Sequence, residues 1–228
     1  MNIHDRATIE ICGKKIVILG LALSGAAAAK LAVRQGADVF VSDNQDTLSL
    51  QGTLTDLKAL SIPGELGQHS DQIYDADLWI ISPGIAQDSE LVQKAQSNDI
   101  PIVSEIEFAS WFTEAPILAI TGSNGKTTTA HLLAEMIQTD DLHGALAGNV
   151  GIPFAEMVLE DLGSRPETGL GLGNIQFSNG IHRTLQTLYC HISQYNTRPP
   201  EPLSIHERIY CGKNEHVVPA DSRRFHRI

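Results

Sequence analysis

Three scarcities narrow the possibilities before any motif is read. Cysteine occurs only at Cys12, Cys190 and Cys211, never in C-x-x-C spacing. An odd, scattered set argues against a disulfide framework or a paired-ligand zinc module and fits a reducing cytoplasm. Basic charge is short as well: 16 Lys and Arg stand against 27 Asp and Glu, for a net charge of −11. That balance argues against nucleic acid or an anionic membrane as a partner. Long apolar runs are missing, none approaching the roughly 20 residues that span a bilayer, so no membrane insertion is expected. The first ten residues are polar and read as a short leader into a strand. What remains, 42% hydrophobic and 19% charged over 228 residues, suits a cytoplasmic globular chain of one large or two small domains.

The most informative stretch is 115–130. The apolar run I-L-A-I at 117–120 leads straight into T-G-S-N-G-K-T-T at 121–128. That order predicts a strand, a phosphate-binding turn and a helix. Small residues at Gly122, Ser123, Asn124 and Gly125 let successive backbone N–H groups face one anion, and the helix N-terminus adds its partial positive charge. Lys126 can reach the β- and γ-phosphates of ATP, and the Thr127 hydroxyl is placed to hold Mg²⁺, with Thr128 completing the ATP-binding set. The spacing departs from G-x-x-x-x-G-K-[ST], because Ile120 stands where the first glycine would be.

Upstream, K-I-V-I-L at 15–19 reads as a strand, G-L-A-L-S-G at 20–25 as a turn, and the Ala-rich 26–35 as a helix closed by Gly36. D-V-F-V-S at 38–42 is a second strand, ending at Asp43. This βαβ unit predicts a nucleotide site at the carboxyl ends of parallel strands, with Asp43 placed for a ribose hydroxyl. An NAD(P)-dependent oxidoreductase is the rival reading. Ala22 in the middle of the glycine fingerprint counts against it, because that position lets backbone approach a pyrophosphate.

Further along, 54–60 reads as a helix, 62–70 as a loop, 78–81 as a strand, and S-P-G-I-A at 82–86 as a tight turn. A helix at 89–98, a strand at 102–103 and a helix at 105–112 follow. Trp111 and Phe112 are read as core packing rather than a base-stacking platform. A boundary falls near residue 113. After the phosphate turn come a helix at 128–138, a strand beginning at 145–146, and a Gly/Asn turn in which Asn149 could meet a phosphate or carboxylate. The segment 154–162 reads as a helix.

The motif T-G-S-N-G-K-T-T resembles the phosphate loop of the Mur ligases, the ATP-dependent amino-acid ligases of peptidoglycan synthesis. V-I-L-G-L-A-L-S-G, V-S-D, I-S-P-G-I-A, I-P-I-V-S-E-I-E-F and G-N-V-G-I-P, in that order, resemble the D-glutamate-adding branch of that family over residues 14–162. The resemblance implies an α/β chain. A Rossmann-like parallel-sheet domain (1–112) binding a UDP-sugar precedes a truncated P-loop central domain (113–162) and a non-matching, poorly ordered tail (163–228). It implies that Leu23, Ser24, Asp43 and Gly84 hold the uridine and diphosphate, with Asn149 joining the substrate set. Lys126 and Thr127 would then be catalytic. The implied substrates are UDP-N-acetylmuramoyl-L-alanine, D-glutamate and ATP with Mg²⁺.

Beyond residue 162 the family's E-x-S-S-F-Q and D-H segments are absent in frame. Codons can be chosen for 170–180 and 196–213 so that the next reading frame spells close relatives of both. A frameshift is therefore expected, and the underlying DNA decides it. The expected consequence is a weakly active or inactive ligase chain, or a non-catalytic fragment that still binds a UDP-sugar.

Overall fold

The computed structural model describes residues 9–82, 84–86, 88–113, 117–122, 125–137, 143–148, 152–161, 169–174, 187–192 and 208–211. The chain folds as two compact units. One runs through residue 114 and includes the helix at 154–161. The other takes in 115–152 and the strands beyond residue 166.

The first unit is built on five parallel strands: β1 (Lys15–Leu19), β2 (Asp38–Asp43), β3 (Gly64–Leu66), β4 (Leu78–Ile81) and β5 (Ile102–Ser104). Their spatial order is β3-β2-β1-β4-β5. Residues 16–19 and all of β4 are buried, as unbroken apolar runs must be when a parallel sheet is covered on both faces. The connecting helices are α1 (Leu23–Arg34), α2 (Leu48–Ala59), a 3-10 turn at Asp71–Tyr74 and α3 (Glu90–Ser97), with α4 (Glu105–Ser110) after β5.

Helix α1 buries Ala26–Ala29, Leu31 and Ala32, side chains short enough to bring it close to the sheet. The closest approach is at Gly25, where an added Cβ would sit 1.9 Å from the Gly20 carbonyl oxygen. Only glycine fits there. Trp79 is fully buried and donates its Nε1–H to the Ile73 carbonyl at 2.7 Å, so the 3-10 turn is fastened to β4. Tyr74 packs tilted against Trp79 with ring centroids 5.4 Å apart, and Lys94 of α3 lies 4.0 Å over the Tyr74 ring.

Several expectations shift in detail. Helix α2 starts at Leu48, not 54, because the Thr47 hydroxyl caps it by accepting from the Leu50 amide. A three-residue strand, β3, replaces part of the expected loop, its backbone recruited by β2. Helix α4 ends at Ser110. Trp111 is buried and packs edge-on against Phe108 at 5.6 Å, in the core.

The second unit carries β6 (Ile117–Gly122), α5 (Lys126–Met136), β7 (His143–Gly148), β8 (Gly169–Asn174), β9 (Thr187–Ile192) and β10 (Arg208–Cys211). The sheet order is β10-β9-β6-β8-β7, parallel except for the antiparallel β10–β9 pair. Three of its strands come from beyond residue 162. The other residues of that segment lie outside the described set.

The last helix, α6 (Phe154–Asp161), packs on α1 and α4 within the first unit. Phe154, Ala155 and Val158 are buried. The Ala155 amide donates to the carboxylate of Glu105, itself buried at the start of α4. Burial pushes the Glu105 carboxyl up to about 7, only partly offset by the Ala155 N–H. Its folded value thus lies above the ordinary 4.5, and the folded chain binds this proton more tightly. Stability contributed by the protonated form is full at low pH and is lost as pH rises through about 7. Glu105→Gln keeps an oxygen for Ala155 and removes the ionisation. Thermal melts should show it more stable than the parent at pH 8, by on the order of 1–3 kcal/mol, with the gap closing toward pH 5. An equal gap at both pH values would contradict the assignment.

Candidate functional site

An open cleft of about 630 Å³ lies at the carboxyl ends of β1, β2 and β4. This is the point where strand order reverses about β1, the usual ligand position in such sheets. The β1–α1 turn contributes Gly20, Ala22 and Ser24; the end of β2 contributes Asp43, Asn44 and Gln45. Ser82, Gly84 and Ile85 line it from the end of β4, and His69 from the segment after β3.

Asp43 organises the floor. Its Oδ2 accepts from the Leu21 amide at 2.7 Å and its Oδ1 from the Gln45 amide at 2.9 Å. The carboxylate therefore ties the turn after β1 to the end of β2. Each oxygen keeps a further lone pair for a ligand. Ala22 sits at φ −67, a conformation any residue adopts, and is the N-cap of α1 without a side-chain acceptor.

Behind the floor runs a polar relay. The Ser42 hydroxyl, fully buried, is 2.8 Å from Glu65 Oε1 and 2.7 Å from His69 Nδ1. The Ser70 amide donates to the same Glu65 oxygen at 2.8 Å. Burial pushes the Glu65 carboxyl upward, but the Ser70 and Ser42 hydrogen bonds and the nearby His69 together outweigh it and hold it below its ordinary value.

Of the expected substrate residues, Ser24, Asp43 and Gly84 come together in this cleft. Leu23 begins α1 and is 80% exposed, a large apolar side chain next in sequence to two lining residues. Asn149 lies outside the described residues. His69, Ser82 and Ser89 also line the cleft and were not foreseen. No short motif marks them, though S-P-G-I-A already pointed to the backbone beside Ser82.

In the second unit, β6 passes into α5 through Gly125, whose φ of +76 needs the freedom of glycine. Gly122 ends the strand and Lys126 opens the helix; Thr127 and Thr128 are exposed on its first turn. Ser123 and Asn124 lie outside the described residues. Helix α5 has no acidic residue in its first turn and no side-chain cap, a donor set that fits a phosphate. The hydroxyl of Thr127 fits a Mg²⁺ ligand in chemistry. Among the described residues no group of three or more His, Cys, Asp or Glu gathers as a metal cage.

Residues 14–104 match the family model for the N-terminal domain of MurD-like Mur ligases. Over this stretch the chain is similar to the MurD-like Mur ligases. Over 158 residues the chain is 43% identical to the UDP-N-acetylmuramoylalanine–D-glutamate ligase of Chloroherpeton thalassium, covering 65% of this chain and 33% of that one. Against the ligase of the same name from Christiangramia forsetii it is 42% identical over 156 residues, covering 66% and 34%. The chain thus spans about a third of the length of the curated relatives it matches. Among solved structures, a pseudomurein peptide ligase type C from Methanothermus fervidus overlaps at TM-score 0.42 and 24% identity, covering 71% of this chain and 33% of that one. The MurD-like domain is the unit that carries the cleft.

The bridging role of Asp43 is testable by unfolding. Asp43→Ala leaves the Leu21 and Gln45 amides without their acceptor, which should lower stability by about 1–3 kcal/mol in a urea titration. An unchanged midpoint would mean that the carboxylate is not holding the turn.

Proposed function

We propose that this chain is the front part of an ATP-dependent Mur ligase that adds D-glutamate to UDP-N-acetylmuramoyl-L-alanine in the cytoplasm. The observation that carries the proposal is the cleft of the MurD-like domain, with a G-K-T phosphate turn following in the same chain. The first unit would hold the UDP-sugar. Amides at the start of α1 would meet the diphosphate, Asp43 and Ser24 line the cleft, and exposed Leu23 would offer an apolar surface to the uracil ring.

The second unit would hold ATP. Gly122, Gly125 and the first amides of α5 would cradle its phosphates, with Lys126 offsetting negative charge on the transferred phosphoryl group. Thr127 would help to hold Mg²⁺, which would supply further charge neutralisation there. In the reaction the substrate carboxylate takes the γ-phosphoryl group and ADP leaves. The amine of D-glutamate then attacks the acyl carbon, inorganic phosphate departs, and the amine gives up a proton as the amide forms.

The 228 residues span a third of the relatives' length, and the segment after residue 162 lacks the family motifs in frame. Phosphate release with ATP, UDP-N-acetylmuramoyl-L-alanine and D-glutamate is therefore expected to be weak or absent for the purified chain. Robust turnover, lost in Lys126→Ala, would refute the truncated reading while supporting the ligase chemistry. An oxidoreductase would bind NADH, which the cleft with Ala22 at its turn is expected not to do.

A further inference from the structure

Helix α1 is buried at every position from Gly25 to Ala29, and again at Leu31 and Ala32. An α-helix turns once in about 3.6 residues, so an unbroken buried run of this length goes all the way round it. The sheet covers only one side. The short side chains of Ala26–Ala29 leave room on the other, where α6 and α4 pack.

Helix α6 is anchored there by packing, charge and hydrogen bonding. Phe154, Ala155 and Val158 form its buried face, at the spacing of one side of a helix. Glu156 Oε2 lies 3.8 Å from Lys30 Nζ, midway along α1. The Ala155 amide donates to Glu105 at the start of α4, which itself packs on α1. None of the described α6 residues lines the cleft, but the helix under it does. The start of α1 and the turn before it supply Gly20, Ala22 and Ser24. Gly25 sets that start against the sheet from below, and α6 holds the same helix from outside.

We propose that α6 is a positioning element of the cleft: docked on α1, it fixes the helix start that meets the ligand's diphosphate, so docking and ligand binding strengthen each other. Phe154 and Val158 act through α1 and touch no ligand. This rests on the reading of the cleft as a UDP-sugar site. The coupling is reciprocal. Whatever factor α6 docking adds to affinity, the bound ligand returns to α6 as rarer opening.

Hydrogen exchange of the 228-residue chain, with and without saturating UDP-N-acetylmuramoyl-L-alanine, reads one direction. Amides of 157–161 should exchange about fivefold more slowly with ligand, the lower end of ordinary coupling between sites. Calorimetric titration of Val158→Asp reads the other, because a carboxylate in the buried face drives α6 off α1 and leaves the cleft residues in place. Its affinity for the same ligand should fall about fivefold. Leu57→Ala is the control: it removes a buried side chain of α2, lowers the melting temperature and should keep parental affinity. Unchanged exchange in α6 at saturating ligand overturns the proposal, and this arm decides even where Val158→Asp does not fold. A folded Val158→Asp chain with parental affinity overturns it too. So does an equal loss of affinity in Leu57→Ala, since general loosening of the fold would then suffice. No binding by the parent would instead overturn the UDP-sugar reading of the cleft, and this inference with it.

Discussion

The cleft depends on how tightly the turn after β1 can be held against the sheet. Gly25 lets α1 descend onto the Gly20 carbonyl, where any side chain would collide. Asp43 then fixes the turn from the other side through the Leu21 amide. The two constraints act together: close approach sets where the start of α1 lies, and the carboxylate bridge ties the Leu21 amide, in the turn before it, to the end of β2. The substrate residues expected at Ser24 and Asp43 converge because this seat brings the ends of β1 and β2 within reach of one ligand. Burial of Trp79 and the unbroken apolar runs of β1 and β4 supply the rigid platform beneath it.

A second constraint operates behind the cleft. Burying the Ser42 hydroxyl is tolerable because it finds partners in the half-buried Glu65 and His69. The same logic ties α6 to the first unit. Glu105 accepts from the Ala155 amide, so the chain, having passed through the phosphate turn, returns to pack on α1 and α4. The MurD-like domain is thus completed by a segment that follows the phosphate turn in sequence.

Much of the first unit was legible because a parallel sheet writes its strands as continuous apolar runs. K-I-V-I-L, D-V-F-V-S and L-W-I-I are read directly, and the glycine turn between the first two places the site. What escaped has local reasons. Helix α2 buries only Leu54 and Leu57, so its first turn shows no apolar period and its start hides behind Thr47. Strand β3 is three residues, G-E-L, paired through its backbone to β2 rather than by side-chain preference. His69 is a lone histidine whose partners, Ser42 and Glu65, carry no motif of their own; only folding joins the three. The carboxylate that α6 meets, Glu105, is buried, and no periodicity announces it. The turn before α5 was the reverse case: G-K-T after an apolar run reads directly as a strand–turn–helix passage, and the structure adds the left-handed Gly125 and the helix that starts at Lys126.

The central claim is that a uridine nucleotide sits at the carboxyl ends of β1, β2 and β4. Amide chemical-shift mapping of the 228-residue chain with UDP-N-acetylmuramoyl-L-alanine tests it most directly. The account predicts that the largest shifts cluster at residues 20–24, 43–45, 69, 82 and 84–86. Shifts confined to other parts of the first unit, with those residues unmoved at saturating ligand, would contradict it.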